Sequence, residues 1–220
     1  MGLAVVFDLW GTLVHWPEDD SRRLRARWAA RLGVTPERLD ELWYGAGAYE
    51  ERESGPLRPV LQAMAAQLGD EGIVDELLAW RLDFARSALT VSRSIVETLD
   101  ELRGRGYRLG LVSNCTEDVA IVWSATQLAP RFDAAVFSAR AGCLKPDPRI
   151  YGLVCRSLDA EPAECLFVGD GANDELLGAE RIGMTPVLIH GEGEEPRWEG
   201  LADWPGRRVT SISQVLELVE

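Results

Sequence analysis

Short apolar runs that stop at polar residues, each followed by a helical pattern, recur along the second half of this 220-residue chain. Helical spacing over 95–103 leads into a strand pattern at 108–112. Helix and strand patterns then alternate at 117–126, 134–138, 149–158, 166–168, 174–182 and 187–190, before a short helix at 212–219 capped by Thr210 or Ser211. Such alternation builds a parallel sheet with helices on both faces. One more apolar run, 3–7, precedes it, and the roughly 75 residues after Leu13 carry only helical spacing, at 22–32, 36–44, 59–68 and 73–89, with Gly33, Gly55 and Gly69 as punctuation. The expected fold is α/β, a doubly wound parallel sheet built from 1–14 and 91–220, with 15–90 inserted as a helical domain. Trp28, Trp43 and Trp80 read as packing residues of that insert. The stretch 44–49, with two tyrosines among small residues, reads either as a substrate-contacting loop or as a tight helix turn; 191–208, rich in Gly, Glu and Pro, reads as a surface loop.

The run 3–7 ends at Asp8, followed by Leu9, Trp10, Gly11, Thr12 and Leu13. Ligands of open parallel sheets bind at the carboxyl ends of the strands, so Asp8 stands where a placed carboxylate can act as a nucleophile. Taken alone, an aspartate there is a common turn residue. Other strand ends add to it. The run 109–112 leads into Ser113 and Asn114; 166–169 leads into Asp170, Gly171, Ala172, Asn173 and Asp174; Lys145 lies in the loop before the helix at 149–158. Parallel strands bring these ends to one edge.

Composition narrows the partners. A net charge of -13 and a pI near 4.7 disfavour nucleic acid and anionic membrane surfaces. The four cysteines have neither zinc spacing nor the density of a disulfide scaffold, and no signal-peptide pattern or transmembrane run is present, so a cytoplasmic protein acting on a small molecule is expected. Of the 23 lysines and arginines only Lys145 is a lysine. A site that needs a compact ammonium resists a planar guanidinium.

The order Asp-Leu-Trp-Gly-Thr-Leu, Ser113-Asn114, Lys145-Pro and Gly-Asp170-Gly-Ala-Asn-Asp174 resembles the four motifs of the haloacid dehalogenase-like (HAD) hydrolases, over nearly the whole chain. The resemblance implies a Rossmann-like core with a helical cap domain between motifs one and two. It implies Asp8 as nucleophile, Ser113, Asn114 and Lys145 as phosphoryl-binding groups, and Lys145 as the charge that offsets the nucleophile. It further implies a Mg²⁺ site from Asp8, the Trp10 backbone carbonyl, Asp170 and Asp174, and a small phosphorylated substrate.

The family's usual first motif carries a second aspartate where this chain has Trp10. That aspartate protonates the leaving alcohol and later activates water, which an indole cannot do. The leading expectation is a Mg²⁺-dependent phosphatase working through an aspartyl-phosphate, weak or confined to good leaving groups unless another side chain acts; His15 is a nearby candidate. L-2-haloacid dehalogenases, which also lack the second aspartate, are the rival, although they work without metal and this chain has Tyr44 after Leu42-Trp43 where they place an arginine. A catalytically impaired binding or regulatory protein is a third reading. Phosphonatase chemistry, which needs a cap lysine, is excluded by the single lysine.

Overall fold

A computed structural model describes residues 4–191, 193, 198 and 200–219. Leu3, expected in the first strand, and 192, 194–197 and 199 of the expected surface loop lie outside these residues. Six strands, β1 (Ala4–Phe7), β2 (Arg108–Ser113), β3 (Ala134–Phe137), β4 (Cys165–Gly169), β5 (Thr185–Ile189) and β6 (Arg207–Val209), form one sheet in the order β3-β2-β1-β4-β5-β6. Every pairing is parallel, with Val5 opposite both Leu109 and Leu166. β1 is an unbroken apolar run because it is covered on both faces and paired on both edges.

Successive side chains of a strand point to opposite faces, so Val5 and Phe7 enter one core and Ala4 and Val6 the other. The first core is closed by α6 (Arg93–Gly104) and α7 (Glu117–Val122), the second by α9 (Pro148–Ser157) and α10 (Glu175–Arg181). α9 starts where Asp147 accepts the Arg149 N–H and Pro148 fills the first turn. Single-turn helices α8 (Ser138–Ala141) and α11 (Val215–Leu218) complete this part. β6 was not expected from the sequence. It is an edge strand whose Arg207 and Arg208 are exposed, so it lacks an apolar signature. The expected cap is not made by a side chain; Ser211 precedes a single 3₁₀ turn instead.

Between β1 and α6 lie α1 (Glu18–Leu32), α2 (Pro36–Tyr44), α3 (Ala48–Glu53), α4 (Leu57–Gln67) and α5 (Val74–Ala88). α2 is started by Thr35, whose hydroxyl accepts the Arg38 N–H, followed by Pro36. These helices enclose a third core around Trp28, Leu39, Trp43, Leu61 and Leu77. Trp80 packs at its margin with Arg27 stacked over its ring. The stretch 44–49 is a tight turn between helices, with α2 ending at Tyr44 and α3 starting at Ala48. α5 belongs to both bodies, since Leu77 enters the third core and Ala85 the first. Arg81 of α5 pairs with Asp118 at 2.7 Å, and the Leu57 N–H donates to Glu117 at 2.9 Å, tying the insert to α7. Among the described residues, no helix is long and apolar enough to cross a membrane.

Candidate active site

The strand order reverses direction between β1 and β4, and a crevice opens there beyond the carboxyl ends of the strands. Asp8 continues β1, its N–H donating to the Val168 carbonyl at 2.9 Å. The chain then folds back, with the Leu13 and Val14 N–H groups both donating to the Leu9 carbonyl at 3.0 and 2.8 Å. Gly11 sits in this turn at φ 79. A Cβ there would lie 2.3 Å from Asp170 Oδ2, so glycine is what lets the turn pass against the end of β4.

Lys145 Nζ donates to Asp8 Oδ1 and to Glu175 Oε2, both at 2.5 Å. The main chain that carries it is fixed by Asn114, whose Oδ1 accepts the Lys145 N–H at 2.8 Å and whose Nδ2 donates to the Lys145 carbonyl at 3.1 Å. Ser113 is fully buried, its hydroxyl 3.4 Å from the Asn114 carbonyl. Asp170 is buried; its Oδ1 accepts the Ala172 N–H at 3.1 Å and its Oδ2 the Trp198 indole N–H at 3.1 Å.

Asp174 is not brought to this cluster. Asn173 and Asp174 both have positive φ, 53 and 55, and this pair of left-handed residues turns Asp174 outward, where it is exposed. Glu175 enters instead. It is fully buried and its Oε1 accepts the Gly171 N–H at 3.0 Å. Carboxylate oxygens of Asp8, Asp170 and Glu175 lie within 4.8 Å of one another.

Three buried carboxylates thus share one ammonium, an imbalance that is costly unless a proton or cation offsets it. Burial pushes the Asp8 carboxyl up against the pull of Lys145, with Asp170 adding to the rise. Burial, with Asp8 next in importance, pushes Glu175 up to about 8. Burial alone would lower Lys145, but Asp8 and Glu175 outweigh it and hold the ammonium charged. Asp8 Oδ2 remains buried with no hydrogen-bond partner.

A cavity of about 580 Å³ opens over the cluster. Asp8, Asn114, Lys145 and Asp170 form its floor; Trp16, Trp43, Tyr49, Arg52, Glu53 and Arg81 come from the insert side. Trp10 meets Trp16 edge-to-face at 5.0 Å between ring centroids, and Trp16 meets Phe84 at 5.9 Å, so one wall is aromatic. Arg52 is buried over the Trp43 ring and donates to the Trp43 carbonyl. His15 is exposed and does not line the cavity. Trp43 serves both the third core and this wall. Tyr44 and Tyr49 of the stretch 44–49 line the cavity; sequence reasoning missed Glu175, although it follows Asp174 directly, and missed Arg52, Glu53 and Arg81, which carry no local motif.

The fold and the carboxylate–lysine cluster at its crevice define a hydrolase of Rossmann-like topology. The chain belongs to the haloacid dehalogenase-like hydrolases, whose family model matches residues 3–183. It is 29% identical over 209 residues to (S)-2-haloacid dehalogenase 4A of Burkholderia cepacia, covering 89% of this chain and 86% of that protein. It is 26% identical over 230 residues to glyceraldehyde 3-phosphate phosphatase of Methanopyrus kandleri, covering 98% and 96%. The crystal structure of 2-haloacid dehalogenase from Pseudomonas syringae pv. Tomato DC3000 superimposes with a TM-score of 0.75 at 25% identity, over 100% of this chain and 98% of that one.

Proposed function

We propose that this hydrolase is a Mg²⁺-dependent phosphatase of a small phosphorylated metabolite, with Asp8 as nucleophile. The observation that carries the reading is the state of the Asp8 carboxylate: Oδ1 is held by Lys145, while Oδ2 is buried, unpartnered and next to Asp170. The excess of carboxylates over ammonium groups fits a hard cation with oxygen ligands. Asp8, Asp170 and the Trp10 carbonyl would hold it, with Glu175 on the far side of Lys145; Asp174 is no longer part of the set. When bound, Mg²⁺ offsets charge on the transferring phosphoryl group.

Lys145 fixes the attacking carboxylate and meets the incoming phosphoryl oxygens as a point charge. Asn114 acts through Lys145, because both ends of its amide are engaged by that residue's main chain. Ser113, fully buried, does not line the cavity and so does not meet the phosphoryl group there. Residues 15–90 work as a cap domain that covers the crevice and selects the substrate through its aromatic and arginine side chains.

The dehalogenase reading is favoured by one observation, the aromatic wall of Trp10 and Trp16, backed by Phe84, which suits a halogen and supplies no acid. Against it, a free 2-haloacid is an anion and would meet Asp8 and Asp170 at the cavity floor, where Lys145 is the one ammonium and Arg52 and Arg81 lie on the insert side. One assay separates the readings. Phosphate released from aryl phosphates only with Mg²⁺, and Asp8 found phosphorylated by mass spectrometry after rapid quench, support the phosphatase. Halide released from a 2-haloacid in the presence of a chelator, with no phosphate release, overturns it.

A further inference from the structure

Trp10 removes the carboxyl group that would serve the leaving oxygen, and the rest of the cavity holds few candidates to replace it. Among the described residues lining it, Asp8 and Asp170 are committed to the floor cluster, and Glu18 is exposed, accepting the Trp16 indole N–H. The remaining carboxylate is Glu53. It closes α3 and faces the cavity with its side chain only 13% exposed.

Glu53 is held rather than loose. Its Oε1 accepts from Arg52 at 3.2 Å, and it shares a hydrogen bond with the hydroxyl of Tyr49, one helical turn earlier. Tyr49 in turn accepts from Asn173 of the sheet body at 3.2 Å and hydrogen-bonds Asn114, the residue that fixes Lys145. Glu53, Tyr49 and Asn114 are therefore neighbours in one polar group that adjoins the main chain of Lys145, whose ammonium holds Asp8.

We propose that Glu53 is the general acid and base of this enzyme, supplied from the insert in place of the carboxyl group absent at Trp10. The proposal rests on the phosphatase reading. As the Asp8 oxygen bonds to phosphorus, the phosphorus–oxygen bond to the alcohol breaks; its electron pair goes to the leaving oxygen, which takes the Glu53 proton. Water then attacks phosphorus and gives a proton to the Glu53 carboxylate. The bond to Asp8 breaks, inorganic phosphate leaves, and Glu53 is again an acid.

The environment suits that cycle. Burial raises the Glu53 carboxyl against the opposing pull of Arg52, Tyr49 and Arg81, and the Cys115 thiol beside it is pushed up by burial and then by Glu53. Tyr49, itself pushed up by burial and by Glu53, stays a phenol and acts as a positioning residue.

Glu53→Gln keeps the side chain's size and removes the proton. With alkyl phosphates and Mg²⁺, turnover should fall by roughly 10²–10⁴, but much less with nitrophenyl phosphate, whose leaving group departs without a proton. Phosphorylated Asp8 should accumulate in the variant after an initial burst. Adding Trp10→Asp to Glu53→Gln should recover alkyl-phosphate turnover, which repair of a merely structural defect would not do, and Glu53→Asp should retain part of it. If wild type hydrolyses alkyl phosphates and Glu53→Gln does so within about twofold, or loses alkyl and aryl substrates equally with no rescue by Trp10→Asp, Glu53 is not the acid. Absence of phosphate release from every ester in wild type overturns the phosphatase reading itself.

Discussion

Gly11 and Asp170 approach so closely that a single added carbon on Gly11 would sit 2.3 Å from Asp170 Oδ2. The turn after β1 and the end of β4 are therefore fitted to each other at the atom that would face a cation. Gly11→Ala meets both this clash and a left-handed backbone, which costs an L-residue about 1–2 kcal/mol before the clash is counted. The expected outcome is a lower melting temperature together with weakened Mg²⁺ binding in calorimetry. Unchanged Mg²⁺ affinity would show that Asp170 does not hold the ion.

Asp170→Ala tests the same site without backbone strain. Mg²⁺ titration should lose its measurable heat, and the metal-dependent part of activity should vanish. Equal affinity in wild type and variant would refute the ligand assignment.

Lys145 separates charge from shape. Lys145→Arg keeps the charge, yet a planar guanidinium cannot sit between Asp8 and Glu175 as a compact ammonium does, so most activity should be lost. Lys145→Met goes further and leaves both carboxylates buried without a counter-charge. Destabilisation of about 3–5 kcal/mol is expected in denaturant unfolding. Full activity of Lys145→Arg would mark the lone lysine as accidental.

Glu175 gives a pH signature in the metal-free protein. Its folded-state value is raised from 4.5 to about 8, so between these values the folded chain keeps a proton that the unfolded chain has released. Stability then falls as pH rises through that window and levels off above it. Glu175→Gln has no such proton. Chemical denaturation at several pH values in a chelator should give a flatter profile for the variant; parallel profiles would contradict the assignment.

Strands buried on both faces were legible because nothing interrupts their apolar runs, and Asp8, Ser113 and Asp170 mark where those runs stop. β6 was not, since an exposed edge strand of three residues with two arginines has no apolar period. Lys145 stood out by composition, and its contacts with Asp8 and Glu175 are long-range facts that spacing cannot supply. Asp174 and Glu175 show the limit most clearly. Asp174 fits the motif spacing and Glu175, one residue later, does not, yet the left-handed backbone at Asn173 and Asp174 leaves Asp174 exposed and Glu175 buried in the cluster. Glu53 was hidden, because a helix as short as α3 has too few turns to display a period, whereas the tyrosines at 44 and 49 were visible by their setting among small residues.

The third hydrophobic core, built around Trp28, Leu39 and Leu61, shares none of its buried residues with the two cores that hold the sheet. The helical insert, with Glu53 on it, and the sheet edge that carries Asp8 and Lys145 thus draw on separate reserves of stability. Mutations that reshape the far wall of the cavity can drift, or be exchanged with those of a relative, while the edge bearing Asp8 and Lys145 stays anchored.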